Sequence, residues 1–572
     1  MAPEIPLGEF LPPNNRYAVS VSLPKWSDCI GLINGTPSIA DRMRNGYPRF
    51  FIAESIEKIV TLVKDQYALP NENAMIYPSL LCAERCVSFV YDQAPKELSL
   101  GAKITVPEPG QVRIVKHVFD AIDNNETTMH AADDVLKVPV TIYCVLFPAD
   151  LFPVARTYWK HTGDGITARF ADHCLLMDRL NKEAKEVNAD CSKSIDLVKS
   201  GGNIINNDRP NIGSNVDVKA ILRQRIANAL SDGYDNKDNN VRNPSEHDVY
   251  LLSTGMGTVF HIHQALLRTG NGKSVCFGFP YTDTLKILEK FGPGAYFLGQ
   301  GEGQDYDELE RILEHHSTSP EEDPILAIFT ECPSNPLLKT ANLPRLRKLA
   351  DQYGAALVVD ETIGSFANVD VLSWADVVVS SLTKVFSGDS DVMGGSIVLN
   401  PRGSRYESLR ATMNAEFEDL LWHGNALVLE RNSRDFMSRV PRINANALAV
   451  AELLAANPKV ARVYYPKFTT NDNYEIIKRP SAKSGYGCLL SAVFVGGESA
   501  ASQFYDSLGC CKGPSLGTNF TLAAPYTILA HSDELDWVAQ YGVSPHLVRI
   551  SIGLEPRDEL LAMIQTALDA IE

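Results

Sequence analysis

A carboxylate at the end of one apolar run and a lysine just beyond the next are the residues of this 572-residue chain that point most directly to chemistry. The run Leu357-Val358-Val359 ends in Asp360. A second run, Val377-Val378-Val379, leads through Ser381 and Thr383 to Lys384, and a glycine-rich turn follows. A lysine that condenses with an aldehyde, and an acid that keeps a pyridine nitrogen protonated, are what pyridoxal 5'-phosphate (PLP) requires, because the protonated ring then draws electrons from an attached amino acid. Taken alone, an Asp after a strand is commonly a helix N-cap, and a lysine is commonly a surface residue.

Other candidates lie on either side. Ser253-Thr254-Gly255-Met256-Gly257-Thr258 follows an apolar run and opens a helical pattern. Backbone N–H groups at a helix N-terminus, open to close approach where glycine has no Cβ, bind phosphate. That makes Gly255 and Met256 candidate phosphate ligands. Tyr281, in Phe279-Pro280-Tyr281-Thr282, offers a ring face for stacking. Asn335, in Thr330-Glu331-Cys332-Pro333-Ser334-Asn335-Pro336, precedes a proline, which alone is a turn signal, and carries an amide able to donate and accept. Arg549 stands inside the apolar run Leu547-Val548-Arg549-Ile550, an awkward place for a guanidinium unless its fork meets a carboxylate.

In this order, Ser381-Leu382-Thr383-Lys384 with Gly388, Ser390, Asp391 and Gly394-Gly395 resembles the cofactor-lysine signature of the Cys/Met-metabolism PLP enzymes. The chain looks like the long fungal cystathionine γ-synthase branch of that family, which also carries an N-terminal extension. The resemblance implies fold type I (aspartate aminotransferase-like). It also implies Lys384 as cofactor anchor and base, Tyr281 as stacking residue and proton-transfer aid, and Asp360 at the pyridine nitrogen. Ser381 and Thr383 then bind around phosphate and ring, Asn335 serves cofactor and substrate, and Arg549 takes the substrate carboxylate beside Ser515 of Ser515-Leu516-Gly517. His531, which matches a histidine frequent downstream, is expected to be structural.

Departures from the family accompany the matches. Its Tyr-x-Arg pair, which reaches the phosphate of a neighbouring subunit, has Trp159 and His161 in the corresponding places. Cationic help for the phosphate is then open between Lys160, His161 and Arg169. Glu361 stands where Asn is usual, and Val385 and Asp389 replace a common Tyr and His.

The elements that must position these residues follow from periodicity. From about residue 248, short apolar strands alternate with helices expected over 259–267, 284–291, 307–315 and 343–353. Continuous apolar runs separated by helices predict an α/β, mostly parallel sheet covered on both faces, with ligands outside the carboxyl ends of its strands. Four regions are expected: a mixed α/β extension over 1–155, an arm and connecting helices over 156–245, the PLP-binding domain over 246–400, and a smaller α+β domain over 401–572. Helices are expected over 54–67, 216–230, 444–456 and 558–571, a strand over 138–147, and exposed polar loops over 200–210 and 235–244.

An apolar content of 45% and a charged content of 22% are ordinary for a globular protein. A net charge of −17 argues against nucleic-acid or anionic-membrane partners. Eleven cysteines without CxxC pairs or matching histidines fit reduced thiols rather than zinc. The first residues show no secretory or mitochondrial pattern, so a cytoplasmic location is expected, with a nuclear pool left open. The resemblance implies small amino-acid substrates and a homodimer or homotetramer whose active sites are shared between subunits. It further implies a transferase of methionine biosynthesis: γ-replacement on an O-acylated homoserine by cysteine, giving cystathionine. O-acetylhomoserine sulfhydrylase, cystathionine lyase and γ-replacement enzymes of secondary metabolism share the same residues. A non-catalytic regulatory relative is the alternative of another class.

Overall fold

A computed structural model describes residues 5–48, 50–122, 138–189, 217–231 and 242–572. The chain divides into two compact units, one made of residues 1–48, 220–419 and 432–572, the other of 49–219 and 420–431. This division departs from the expected boundaries. Residues 1–48 group with the sheet that carries the lysine, and the mixed α/β extension begins only after them.

The larger unit is built on a seven-stranded sheet of β1 (Val249–Leu252), β2 (Ser274–Phe277), β3 (Ala295–Leu298), β4 (Ala327–Glu331), β5 (Ala356–Asp360), β6 (Val377–Ser381) and β7 (Gly395–Leu399). Their order is β1-β7-β6-β5-β4-β2-β3. The pairs among β2 to β6 are parallel, and β7 runs antiparallel to both neighbours. Strands β1, β2 and β4 are buried along their whole length, as their unbroken apolar runs require when helices cover both faces. Strand β7 was not anticipated. Its Gly395 pairs with Ser381, and a Cβ there would sit 2.3 Å from the Thr254 carbonyl oxygen.

A second sheet in this unit contains β8 (Val460–Tyr464), β9 (Leu489–Phe494), β10 (Cys511–Lys512), β11 (Leu522–Pro525) and β12 (Val548–Ser551), ordered β8-β9-β12-β11-β10. The helix expected over 444–456 is the second half of Phe436–Ala455, which passes through Pro441. Near the amino terminus, Phe10–Leu11 pairs antiparallel with Ser20–Val21. The helix Trp26–Ile33 then adds Trp26 and Cys29 to the core around Phe504 and Tyr505.

The smaller unit has a three-stranded antiparallel sheet with Val140–Pro148 between Glu72–Tyr77 and Arg113–Phe119. Helices Glu54–Tyr67, Leu80–Ser99, Phe152–Thr162 and Ala168–Ala189 belong to it. The loop expected over 200–210 and most of that over 235–244 lie outside the described residues. The ten described cysteines are unbridged. Burial pushes the Cys86 and Cys144 thiols up to about 12, as for inert core thiols.

Candidate active site

The carboxyl ends of β4, β5 and β6 and the turns after them hold Asn335, Asp360, Ser381, Thr383 and Lys384, half of the predicted residues. Lys384 lies in the turn after β6 and is buried. Its Nζ donates to the Tyr47 hydroxyl at 3.0 Å and to Ser515 Oγ at 3.5 Å. Two glycines set how tightly that turn is enclosed. Gly517 has a φ of +71°, which glycine adopts freely, and a Cβ there would approach Lys384 Cβ to 2.8 Å. A Cβ on Gly255 would come within 2.4 Å of Ser381 Cβ.

Gly255 opens the helix α1 (Gly255–Leu267), whose N-cap Thr254 accepts the Gly257 N–H at 2.9 Å. The first-turn N–H groups of a helix have no partner within it, so the end of α1, packed on Ser381, has the form of a phosphate cradle. Met256 is partly buried against the core of the seven-stranded sheet. Ser381 N–H donates to Thr362 Oγ1 at 2.8 Å, and the Thr383 hydroxyl bridges to Gly394, donating to its carbonyl and accepting its N–H.

Asp360 ends β5, with Oδ1 accepting the Thr362 N–H at 2.8 Å. Burial pushes its carboxyl up from the usual range, and among the described residues no cation pairs with it. A buried carboxylate without a cation is what a protonated pyridine nitrogen would complete. Its registered neighbour on β4 is Glu331, and parallel neighbours stand about 4.8 Å apart. The two line one cavity with Thr284, Thr330, Val358 and Val379.

Glu331 was not singled out from sequence, yet it ties two predicted residues together. Its Oε1 accepts the Tyr281 N–H at 2.6 Å and its Oε2 accepts the Asn335 N–H at 3.2 Å. Burial and then Asp360 push the Glu331 carboxyl well up, against the pull of these two donors. Its position at the head of the Glu-x-Pro-x-Asn-Pro turn was the available signal.

Arg549 on β12 is almost fully buried. It donates to Asn335 Oδ1 at 3.1 Å and to the carbonyls of Pro514 at 2.7 Å and Ser515 at 3.1 Å, and it lies over the Tyr526 ring. All these partners are neutral oxygens. Burial drives its guanidinium below its usual value, and the tyrosines around it, Tyr526, Tyr47 and Tyr281, oppose that drop. A dry guanidinium aimed by carbonyls and, among the described residues, paired with no acid fits a ligand carboxylate.

The structure thus brings Lys384, Asp360, Ser381, Thr383, Gly255, Met256, Tyr281, Asn335, Ser515 and Arg549 into one unit around the strand ends. Trp159 and His161 belong to the helix Phe152–Thr162 of the other unit. His531 is buried beside Phe279, with Nδ1 at 2.7 Å from Glu534 Oε1. Arg439 was also missed. Its guanidinium donates to the Phe386 and Ser387 carbonyls at 3.1 and 3.3 Å, bracing the turn after Lys384. The unusual Asp389 has a partner of its own, accepting Asn519 Nδ2 at 2.6 Å.

Residues 225–569 match the family model for Cys/Met metabolism PLP-dependent enzymes, and residues 55–167 match that for the fungal trans-sulfuration enzyme N-terminal domain. A cystathionine gamma-synthase-like enzyme of Amanita muscaria is 41% identical, the alignment covering 99% of this chain and 96% of that one. The cystathionine gamma-synthase of Neurospora crassa is 39% identical over 100% of this chain and 99% of its own. Among solved structures, cystathionine gamma synthase from Xanthomonas oryzae pv. oryzae superposes with a TM-score of 0.50 at 25% identity, covering 64% of this chain and 90% of that one. The chain therefore belongs to the Cys/Met-metabolism PLP-dependent enzymes, in the branch that carries the fungal trans-sulfuration N-terminal domain.

Proposed function

We propose that this PLP-dependent enzyme of trans-sulfuration catalyses γ-replacement on an O-acylated homoserine, with cysteine as nucleophile and cystathionine as product. The observation that carries the reading is the buried Arg549, fixed by neutral oxygens and facing the lysine side of the site through Ser515. It selects a substrate with a carboxylate, as an α-amino acid has.

Bound at Lys384, the cofactor supplies the electron sink that makes the Cα and Cβ hydrogens of a bound amino acid acidic. Asp360 holds the proton at the pyridine nitrogen. Arg549 forks onto the α-carboxylate and fixes which Cα bond is presented to the ring. Lys384 Nζ, once free, takes the Cα proton and later returns one. Asn335 keeps its amide N–H groups for ring or substrate, because its carbonyl oxygen already accepts from Arg549. The net change replaces the Cγ–O bond by a Cγ–S bond: the acyloxy group departs as its carboxylate with the electron pair of the Cγ–O bond, and the cysteine thiol gives up its proton.

Relatives named as cystathionine γ-synthases, matched along nearly the whole of both chains, support the cysteine reading. We extend the proposal to a homodimer or homotetramer in the cytoplasm, a location supported by the unbridged cysteines. The test is a product assay with O-acetyl- and O-succinylhomoserine, offering cysteine or sulfide. Cystathionine formed from cysteine at higher kcat/KM than homocysteine from sulfide supports the reading; the reverse order replaces it with a sulfhydrylase.

A further inference from the structure

Neutral oxygens hold the Arg549 guanidinium by its edges, and a buried cation with no acid needs something more to stay charged. Its face is covered by the Tyr526 ring, whose centre lies 4.6 Å from the guanidinium carbon. Both side chains are buried. Strand pairing builds this contact. Ala524 on β11 and Ser491 on β9 stand directly across from Arg549, one on each side. Both are small and leave room for the guanidinium. The Ser491 hydroxyl also donates to the Pro336 carbonyl at 2.9 Å, which fastens the Asn335-Pro336 turn that Arg549 reaches. Two residues beyond Ala524 the chain leaves β11 for the short helix Tyr526–His531, and the first residue of that helix lays its ring on the guanidinium. The Tyr526 ring meets His531 edge-on with centres 5.7 Å apart, and His531 packs on Phe279, two residues before Tyr281. A buried tyrosine beside an arginine is often only core filling. Here it is fixed by the register of two strands against the one cation expected to meet the substrate.

We propose that Tyr526 is a positioning residue for the substrate carboxylate: its ring face keeps Arg549 charged and fixes the guanidinium plane, so that the site takes an α-amino acid in preference to the corresponding amine. The face of an aromatic ring is electron-rich and attracts a cation, more strongly where water is excluded. A flat guanidinium stacked on it keeps its N–H edges for oxygens, which an ammonium could not do. The ring thus supplies the stabilisation that an acid would otherwise give, without competing with the ligand for the N–H groups. This inference rests on the reading of Arg549 as the carboxylate site and is independent of which nucleophile the enzyme uses.

The test titrates the PLP-loaded protein with two probes and follows the cofactor's visible band. L-norvaline has the carboxylate but no leaving group at Cγ, and n-butylamine is the same skeleton without the carboxylate. Tyr526→Phe should bind both as wild type does. Tyr526→Leu should weaken L-norvaline by about 5- to 30-fold and leave n-butylamine unchanged. Pentafluorophenylalanine placed at residue 526 keeps the ring's shape and inverts its charge distribution, so it should also weaken L-norvaline alone; it decides the question if the leucine variant does not fold. Unchanged L-norvaline affinity in the leucine and pentafluorophenylalanine variants overturns the proposal. So does parallel weakening of both probes, the mark of a merely structural role, or a loss with Tyr526→Phe equal to that with Leu. Arg549→Ala separates the two readings. If it weakens L-norvaline and the Tyr526 variants do not, only the role of Tyr526 falls; if it too leaves L-norvaline unchanged, the carboxylate reading of Arg549 falls as well.

Discussion

Replacing Glu331 should loosen the cofactor site without touching a residue that carries the chemistry. Its two oxygens accept one backbone N–H each, from Tyr281 and Asn335. Glutamine keeps the shape but has a single acceptor oxygen, so Glu331→Gln leaves one of those buried N–H groups facing an amide NH2. An unpaired buried donor costs about 1–3 kcal/mol. Glu331→Ala leaves both bare, at about 2–6 kcal/mol. The apoprotein can relax the two loops, whereas the bound state needs Tyr281 and Asn335 in place, so much of the cost falls on binding. At about 1.4 kcal/mol per tenfold, PLP affinity should drop by roughly 5- to 150-fold for Gln and further for Ala. Titrating apoprotein with PLP and following absorbance measures this, with thermal melting of each apoprotein as control. Equal affinity and melting in wild type and Glu331→Gln would refute the reasoning, as would an Ala variant that binds more tightly than Gln.

Arg549→Ala should raise KM for the amino-acid substrate by at least about 10-fold, from loss of a charge-assisted fork worth about 1.5–3 kcal/mol, and leave the cofactor's visible band in place. Steady-state kinetics and an absorbance spectrum check both, and loss of the band would make Arg549 structural. Glu361 is buried, and burial pushes its carboxyl well above its ordinary 4.5. The folded state therefore holds this proton at pH values where the unfolded chain has released it, and the resulting stabilisation is present at low pH and lost as pH rises above about 4.5. Glu361→Gln removes that loss, so its melting temperature relative to wild type should climb between about pH 5 and pH 8; a difference that stays flat with pH contradicts the buried-proton account.

Most of the parallel sheet was legible in the chain because a strand covered on both faces must be apolar along its length, as in 327–331 and 356–360. Strand β7 was not: Gly395 and Ser396 carry no strand signal, and the segment is placed by its antiparallel pairing with β6. Among site residues, Lys384, Asp360 and Arg549 announce themselves as polar groups within or beside apolar runs. Tyr47 could not be found that way, because its place depends on a fold-back set by Asn45 and Ser390 across more than three hundred residues. Arg439 was hidden for a related reason. It serves carbonyls of a turn some fifty residues away, and nothing in its own helix marks it. The domain boundary moved likewise, since residues 1–48 take their place from long-range packing around Trp26 and Tyr505 and not from local composition.

The central claim is that Lys384 is the residue to which the cofactor attaches. Borohydride reduction of the PLP-loaded protein, followed by proteolysis and peptide mass spectrometry, fixes the pyridoxyl group at its site of attachment. The structure predicts one modified peptide, with the group on the lysine between Thr383 and Val385. A pyridoxyl group on any other lysine, or none after full loading, would contradict it.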